Sequence, residues 1–255
     1  MKSKVLFFLS CFYFTSVQAE DRIHIFAATS LTAPLEELSV NFRDKYQHLP
    51  ALTFASSSVL ARQITQGAPA HLYIAANKRW MDYVEQQGSI QPSTRQALIS
   101  NRLVIVGNKD HVIAPFQFSE TIKIDHLIDK HSRIAIGDTN HVPVGIYAKE
   151  ALKSANLWQE WQSYFAPTNS ARSALALTER GETPMGIHYK SDIVDKPQLN
   201  ILSEIPEVMH SPIVYEIAKI KGKDNASISL FYEFLFSEEA SKVFKRYGFK
   251  TLQEN

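Results

Sequence analysis

Cysteine is almost missing from this chain: Cys11 is the only one among 255 residues. A disulfide framework is excluded, so the fold must rest on a buried core. Long hydrophobic runs are missing as well. The apolar stretch Val5 to Phe14 falls short of the ~20 residues of a membrane-spanning helix, and no later stretch approaches that length. Lys2 and Lys4 precede this stretch, and Val17-Gln18-Ala19 supplies small residues behind it. That order reads as a secretory signal peptide over 1–19, cleaved to leave Glu20 as the mature amino terminus of an exported protein. Cleavage there removes Cys11. Phe8-Leu9-Ser10-Cys11 is a poor, early lipobox, and lipid anchoring at Cys11 stands as the alternative.

An excess of one charge is also missing. Without Lys2 and Lys4 the chain carries 25 basic and 26 acidic side chains, so nothing points to nucleic acid or a membrane surface as its main partner. No low-complexity tract or fixed-period repeat is present, which excludes a solenoid. Catalytic signatures are missing in turn: there is no G-x-S-x-G elbow, S-x-x-K, H-E-x-x-H, Walker loop or G-x-G-x-x-G. The nine histidines show no zinc spacing, and His126 and His131 stand five apart, off a common helix face. Trp80, Trp158 and Trp161 fit helix faces and read as packing residues.

What the chain does hold is a repeated strand, turn and helix. Ile23 to Ala28 reads as a strand, and Leu31, Leu35, Leu38, Phe42 and Tyr46 then recur at helical spacing. Pro34 suits a first helical turn. Leu52 to Ala55 followed by Leu60 and Ile64 repeats the unit. Leu72 to Ala76, with Asn77 as a cap and a helix through Trp80 and Val84, repeats it again. Leu103 to Gly107 is a bare apolar strand. An irregular stretch around Pro115 follows, and the pattern resumes over Ile122 to Ile128. Ile134 to Asp138 is a strand running into a helix at Pro143; Asn169 to Arg172 opens another helix; Met185 to Tyr189 is a further strand. Pro212 to Ile220 leads to Ile228 to Phe236 and a last helix capped by Ser237. Alternation of this kind argues for parallel sheets with helices on both faces. Crossings near Arg102 and Pro212 divide the mature chain into one domain of 20–102 with 212–255 and a second of 103–211.

Four junctions share one grammar, a strand or loop feeding a helix amino terminus at Ser30, Ser57, Val144 and Ala171. Two fall in each domain. The first amides of a helix have no partner within it, and such a terminus favours an anion. In open α/β sheets ligands bind outside the carboxyl ends of strands, so two domains joined by two crossings would hold an anion between them. The plain structural reading is that Ser30 and Ser57 only cap their own helices. For either serine alone that reading is the stronger one, and the case for a ligand rests on the number of junctions.

Several stretches resemble the periplasmic molybdate-binding proteins of ABC transporters: Phe26 to Thr32, Phe54 to Ile64, Gly67 to Ala70, Trp80 to Asp82, Gly137-Asp138, His141 to Leu152, Gly186 to Tyr189 with Ser191-Asp192, and Phe244 to Phe249. The resemblance covers nearly all of the mature chain. It implies a type II periplasmic-binding fold of two α/β domains, each a mostly parallel sheet with helices on both faces. It also implies a binder and not an enzyme, with no cofactor, delivering molybdate or tungstate to a membrane permease driven by a cytoplasmic ATPase. A monomer is expected.

Carried over position by position, the ligand contacts fall on Ser30 and Ser57 through hydroxyl and amide, on the amides of Val144 and Ala171, and on the Tyr189 hydroxyl. No side chain would coordinate the metal, since molybdenum is held only as its oxyanion. Tyr189 comes from the resemblance alone. Val144 stands where the family often has Ala, and Ala171 where it often has Val; His71 and Asn77 replace common aspartates. A fully deprotonated dianion needs only donors, whereas a protonated phosphate also needs an acceptor. Sulfate, of the same charge and shape but smaller, is the nearest alternative ligand. An exported α/β hydrolase using Ser57 or Ser30 as nucleophile is the alternative of another class.

Overall fold

The computed structural model describes residues 23–251. The expected signal peptide, its cleavage before Glu20, and Cys11 lie outside them. In chain order the elements are β1 His24–Ala28, α1 Thr32–Tyr46, β2 Ala51–Ala55, α2 Ser57–Thr65, β3 Leu72–Ala75, α3 Lys78–Gln86, β4 Gln96–Ser100, β5 Leu103–Asn108, β6 Ile134–Gly137, α4 Pro143–Ser154 and α5 Trp158–Trp161. Then come β7 Phe165–Thr168, α6 Ala171–Glu179, β8 Met185–Tyr189, β9 Leu199–Glu204, β10 Val214–Lys219, α7 Ala226–Phe234, α8 Glu238–Arg246 and β11 Lys250–Thr251.

Two sheets result, ordered β11-β4-β10-β3-β1-β2 and β7-β6-β8-β5-β9. Within them β2-β1-β3 and β7-β6-β8 are parallel, and every other pairing is antiparallel. The sheets are therefore mixed, where the alternating pattern had pointed to mostly parallel ones. The reason lies in the connections. Parallel neighbours need a crossover, usually a helix, and the sheet neighbours joined that way lie within β1 to β3 and β6 to β8; the helices after β3 and after β10 lead to strands that do not pair with them. Between β4 and β5 stand only Asn101 and Arg102, and the chain changes sheet there. It changes back between β9 and β10, and the returning strand enters the first sheet antiparallel to both neighbours.

Period-two alternation explains why helices cover both faces. Ile25 and Ala27 of β1 face Leu31, Leu35, Leu38 and Phe42, while Phe26 between them faces Leu60, Ile64, Met81 and Val84 of α2 and α3. Each of the larger side chains taken out of water, Ala27 excepted, contributes about 1.5–3 kcal/mol. Phe42 also meets Phe231 of α7 edge-on at 4.9 Å, which ties the returning chain to the first helix.

Local signals end and start the helices as their chemistry requires. Asn77, Ser170, Asn225 and Ser237 each cap the following helix through the side chain. Pro143 opens α4 at a position where its missing N–H costs nothing. One expectation fails: over Ile122 to Ile128 there is only a short 3-10 turn, Ile124–His126, with Ile124 and Ile128 buried as anchors of an irregular segment.

Candidate functional site

The carboxyl ends of β1, β2, β3, β6, β7 and β8 converge on a small cavity. It is lined by Ala28, Thr29, Ser30, Ser56, Ser57, Ala76, Val142, Pro143, Val144, Ala171 and Tyr189. All five residues singled out from sequence thus meet in one place, Ser30 and Ser57 from the first sheet's side and Val144, Ala171 and Tyr189 from the second's. No charged side chain stands among the lining residues.

Neither serine caps its helix. Ser30 lies in a 3-10 turn, Thr29–Leu31, ahead of α1, and its Oγ is 2.8 Å from the Tyr215 hydroxyl. Ser57 is the first residue of α2, behind Ser56 in the cap position, and its Oγ accepts a hydrogen bond from the Ala76 N–H at 3.0 Å. Because that oxygen already accepts, its own hydrogen is left to donate. The main chain at Ser57 is pinned in turn, since its carbonyl accepts from the Tyr73 hydroxyl at 2.8 Å.

On the opposite wall, Val144 follows Pro143, so its N–H is the first amide α4 can present. The start of α4 is pressed onto the end of β6. A Cβ on Gly145 would stand 2.0 Å from the Gly137 carbonyl oxygen, and a Cβ on Gly137 would stand 2.8 Å from Val144 Cγ1. The bulk that Val144 adds over the family's Ala thus fills space that Gly137 leaves open. Ala171 is the first residue of α6, and Ser170 before it caps the helix by accepting from Ser173 N–H at 3.1 Å. The Ala171 N–H has no acceptor earlier in that helix.

Tyr189, the last residue of β8, is 1% exposed, and its hydroxyl is buried without a hydrogen-bond partner. Burial first, then the neighbouring Tyr215, Tyr147 and Asp192, hold this phenol well above its ordinary pKa, so it remains a donor. Leaving such a group unpaired costs about 1–3 kcal/mol. Just beyond it, burial pushes the Asp192 carboxyl up to about 7, and one of its oxygens also lacks a partner.

The two walls are held together around the cavity. Trp80 Nε1 donates to the His141 carbonyl at 2.9 Å, Arg79 Nη1 to the Asn140 carbonyl at 3.1 Å, and Ser58 Oγ lies 3.2 Å from His141 Nδ1. His141 Nε2 is 3.8 Å from Asp138 Oδ1. Ser58, His141 and Asp138 imitate a hydrolase triad only in composition. Ser58 is fully buried, lies outside the cavity lining, and is bonded to Ser56, while 3.8 Å is too long for the orienting hydrogen bond.

Two further contributors escaped the sequence reading. Tyr215 lies 185 residues from the Ser30 it contacts, and the Ala76 N–H is an ordinary strand-end amide. Only the alternating run Pro212 to Ile220 marked the strand that carries Tyr215, and no signal marked its role.

The chain matches the model of the bacterial extracellular solute-binding protein family over residues 23–250. It is 41% identical over 230 residues to the molybdate-binding protein ModA of Escherichia coli K12, covering 90% of this chain and 89% of that one. To the molybdate-binding protein ModA of Haemophilus influenzae it is 34% identical over 235 residues, covering 92% of each. The periplasmic molybdate-binding protein of Azotobacter vinelandii shares the fold, with a TM-score of 0.77 at 20% identity over 89% of this chain and 98% of that one. With two sheets meeting at a donor-lined cavity and these likenesses along nearly its whole described length, the chain belongs to the bacterial extracellular solute-binding proteins.

Proposed function

We propose that this protein captures molybdate in the cavity between its two sheets and delivers it to the membrane permease of an ABC importer. It is a binding protein, not an enzyme, and molybdate is its cargo. The observation that carries the reading is the Tyr189 hydroxyl: a buried donor with no protein partner, facing a cavity where helix starts from both sheets supply further donors. An oxyanion placed there pairs the phenol and takes hydrogens from Ser30 and Ser57 and from the amides of Val144 and Ala171. Helix starts balance its charge without a cationic side chain. The likeness to the Escherichia coli protein selects molybdate among oxyanions. Tungstate, of similar size and the same charge, binds as well in this reading, and sulfate is too small to reach all donors at good length.

The same reading assigns 20–102 with 212–255 to one lobe and 103–211 to the other, a mature amino terminus at Glu20, and a monomer in solution. It leaves no role for a serine nucleophile, because Ser57 Oγ accepts from an amide and Ser30 Oγ is bonded to a phenol.

Calorimetric titration of the mature protein tests it. Molybdate and tungstate should bind tightly, sulfate more weakly, and phosphate most weakly of the four. Equal affinity for sulfate and molybdate would remove the ligand assignment. Reaction with a serine-directed fluorophosphonate would revive the hydrolase.

A further inference from the structure

Around Ser30 the hydrogen bonds have a fixed direction. Asn101 stands where the chain passes from the first sheet to the second. Its Oδ1 accepts from the backbone N–H of Arg102 at 2.9 Å and of Ser191 at 3.4 Å, which sets the orientation of the amide. Its Nδ2 must then face the other way, and it donates to Ser191 Oγ at 2.8 Å and to the Tyr215 hydroxyl oxygen at 3.3 Å. An amide nitrogen can only donate. The Tyr215 oxygen therefore accepts from Asn101, and its single hydrogen is left for Ser30 Oγ, 2.8 Å away. Tyr215 is fully buried, and burial holds its phenol well above its ordinary pKa, so the hydrogen stays. Ser30 Oγ is thus an acceptor from the protein and a donor to the cavity. Ser57 is in the same condition through the Ala76 N–H.

We propose that Tyr215 is a specificity-determining positioning residue: through the relay Asn101 to Tyr215 to Ser30 it biases the Ser30 hydroxyl toward donation and so disfavours protonated oxyanions in the cavity. This deepens the molybdate reading and rests on it. A free serine hydroxyl rotates to suit its guest, donating to a bare oxygen or accepting from a protonated one. Ser30 keeps one hydrogen and one lone pair for the cavity, but the hydrogen it accepts from Tyr215 strengthens its donation and weakens its second acceptance. An anion that keeps a proton, such as hydrogen phosphate or hydrogen arsenate, finds at Ser30 a hydroxyl already engaged as an acceptor, and its O–H pairs there less well than a bare oxygen does. A fully deprotonated tetrahedral dianion meets no such conflict.

The test is the ratio of molybdate to phosphate affinity in wild type and Tyr215→Phe, titrated in mildly alkaline buffer where phosphate is a dianion that keeps one proton. In Tyr215→Phe the Ser30 hydroxyl turns freely. Molybdate affinity should fall about tenfold while phosphate affinity holds or rises, narrowing the ratio about tenfold or more. A ratio unchanged, whether both affinities fall together or neither moves, would overturn the proposal and leave Tyr215 as packing.

Asn101→Asp serves as a second variant should the first fail to fold. Its carboxylate still accepts from Arg102 and Ser191 N–H but draws the Tyr215 hydrogen to itself, so that Ser30 must donate to Tyr215 and turns its lone pairs toward the cavity. The added charge weakens both anions, and the ratio isolates the reversed hydroxyl: it should narrow further than in Tyr215→Phe, and an unchanged ratio contradicts the relay. In a Ser30→Ala background, Tyr215→Phe should alter molybdate affinity less than about twofold; a second tenfold loss would show that Tyr215 acts independently of Ser30. Wild type that ignores molybdate would remove the underlying reading together with the relay, whereas tight wild-type binding with an unchanged ratio removes the relay alone.

Discussion

Ser30 and Ser57 reach the cavity with their oxygens already engaged, by Tyr215 and by the Ala76 N–H, whereas Tyr189 reaches it from the opposite wall with no partner. A hydroxyl held by the protein keeps its direction when no ligand is bound, and it costs the fold nothing. An unpartnered buried hydroxyl costs stability until something fills the cavity. In this account the first wall sets what kind of anion fits, and the second supplies the free energy gained on capture. Similar contacts to one oxyanion thus have unlike effects on the empty protein, and substitutions can separate them.

The second wall fails most severely at Gly145. A side chain there meets the Gly137 carbonyl at 2.0 Å, and backbone cannot swing aside. Gly145→Ala should lower stability by about 3 kcal/mol or more and abolish molybdate binding, because α4 is forced off the end of β6. Thermal melting and titration check this; a variant that melts and binds like wild type would mean that the wall tolerates displacement.

Ser57→Ala and Tyr189→Phe form the sharper pair. Each should weaken molybdate by about 1.5–3 kcal/mol, the scale of a hydrogen bond to a charged group. Their effects on the ligand-free protein should differ. Ser57→Ala orphans the Ala76 N–H and should cost about 1–3 kcal/mol of stability, while Tyr189→Phe removes a polar atom that has no partner and should leave stability unchanged or raise it. Denaturant unfolding without ligand, beside titration with it, separates the two; identical behaviour would erase the distinction between the walls.

The smallest effect concerns pH. Between its ordinary pKa of 3.8 and its folded value of about 7, Asp192 keeps in the folded protein a proton that the unfolded chain has released. Its contribution to stability is therefore full below 3.8 and is lost as pH rises through 7. His188, fully buried and held down to about 3 from 6.5, acts in the opposite sense: its contribution is full above 6.5 and is lost as pH falls through 3. Measured against wild type, in which His188 contributes equally, Asp192→Asn should gain relative stability as pH rises from about 4 to about 7 and hold it above that. Parallel curves would place the Asp192 carboxyl in water.

How far the sequence revealed all this depended on distance along the chain. The caps at Asn77 and Ser237, the helix opening over Asn169 to Arg172 and the proline at the start of α4 were legible because cap, turn and helix lie within a few residues. Four of the five cavity residues were legible for the same reason, as helix starts after strands. Tyr189 needed the family, since a tyrosine at a strand end has no local signature. β7 was hidden by Pro167, which reads as a break yet is tolerated at the edge of its sheet. β4 was hidden by its exposed Gln96 and Ala97. Ser57 invited the wrong role, because Ser56 takes the cap position and Ser57 instead serves an amide 19 residues on. The Tyr215 relay was beyond reach: it joins residues from three separate segments, and nothing in any one of them announces the other two.

The central claim, that one oxyanion is held by donors from both walls, is tested most directly by crystals grown with molybdate and measured across the molybdenum absorption edge. The account predicts a single anomalous peak inside the cavity, with ligand oxygens within hydrogen-bond reach of Ser30 Oγ, Ser57 Oγ, Tyr189 Oη and the amide nitrogens of Val144 and Ala171. A peak elsewhere on the molecule, or an empty cavity at saturating molybdate, would contradict it.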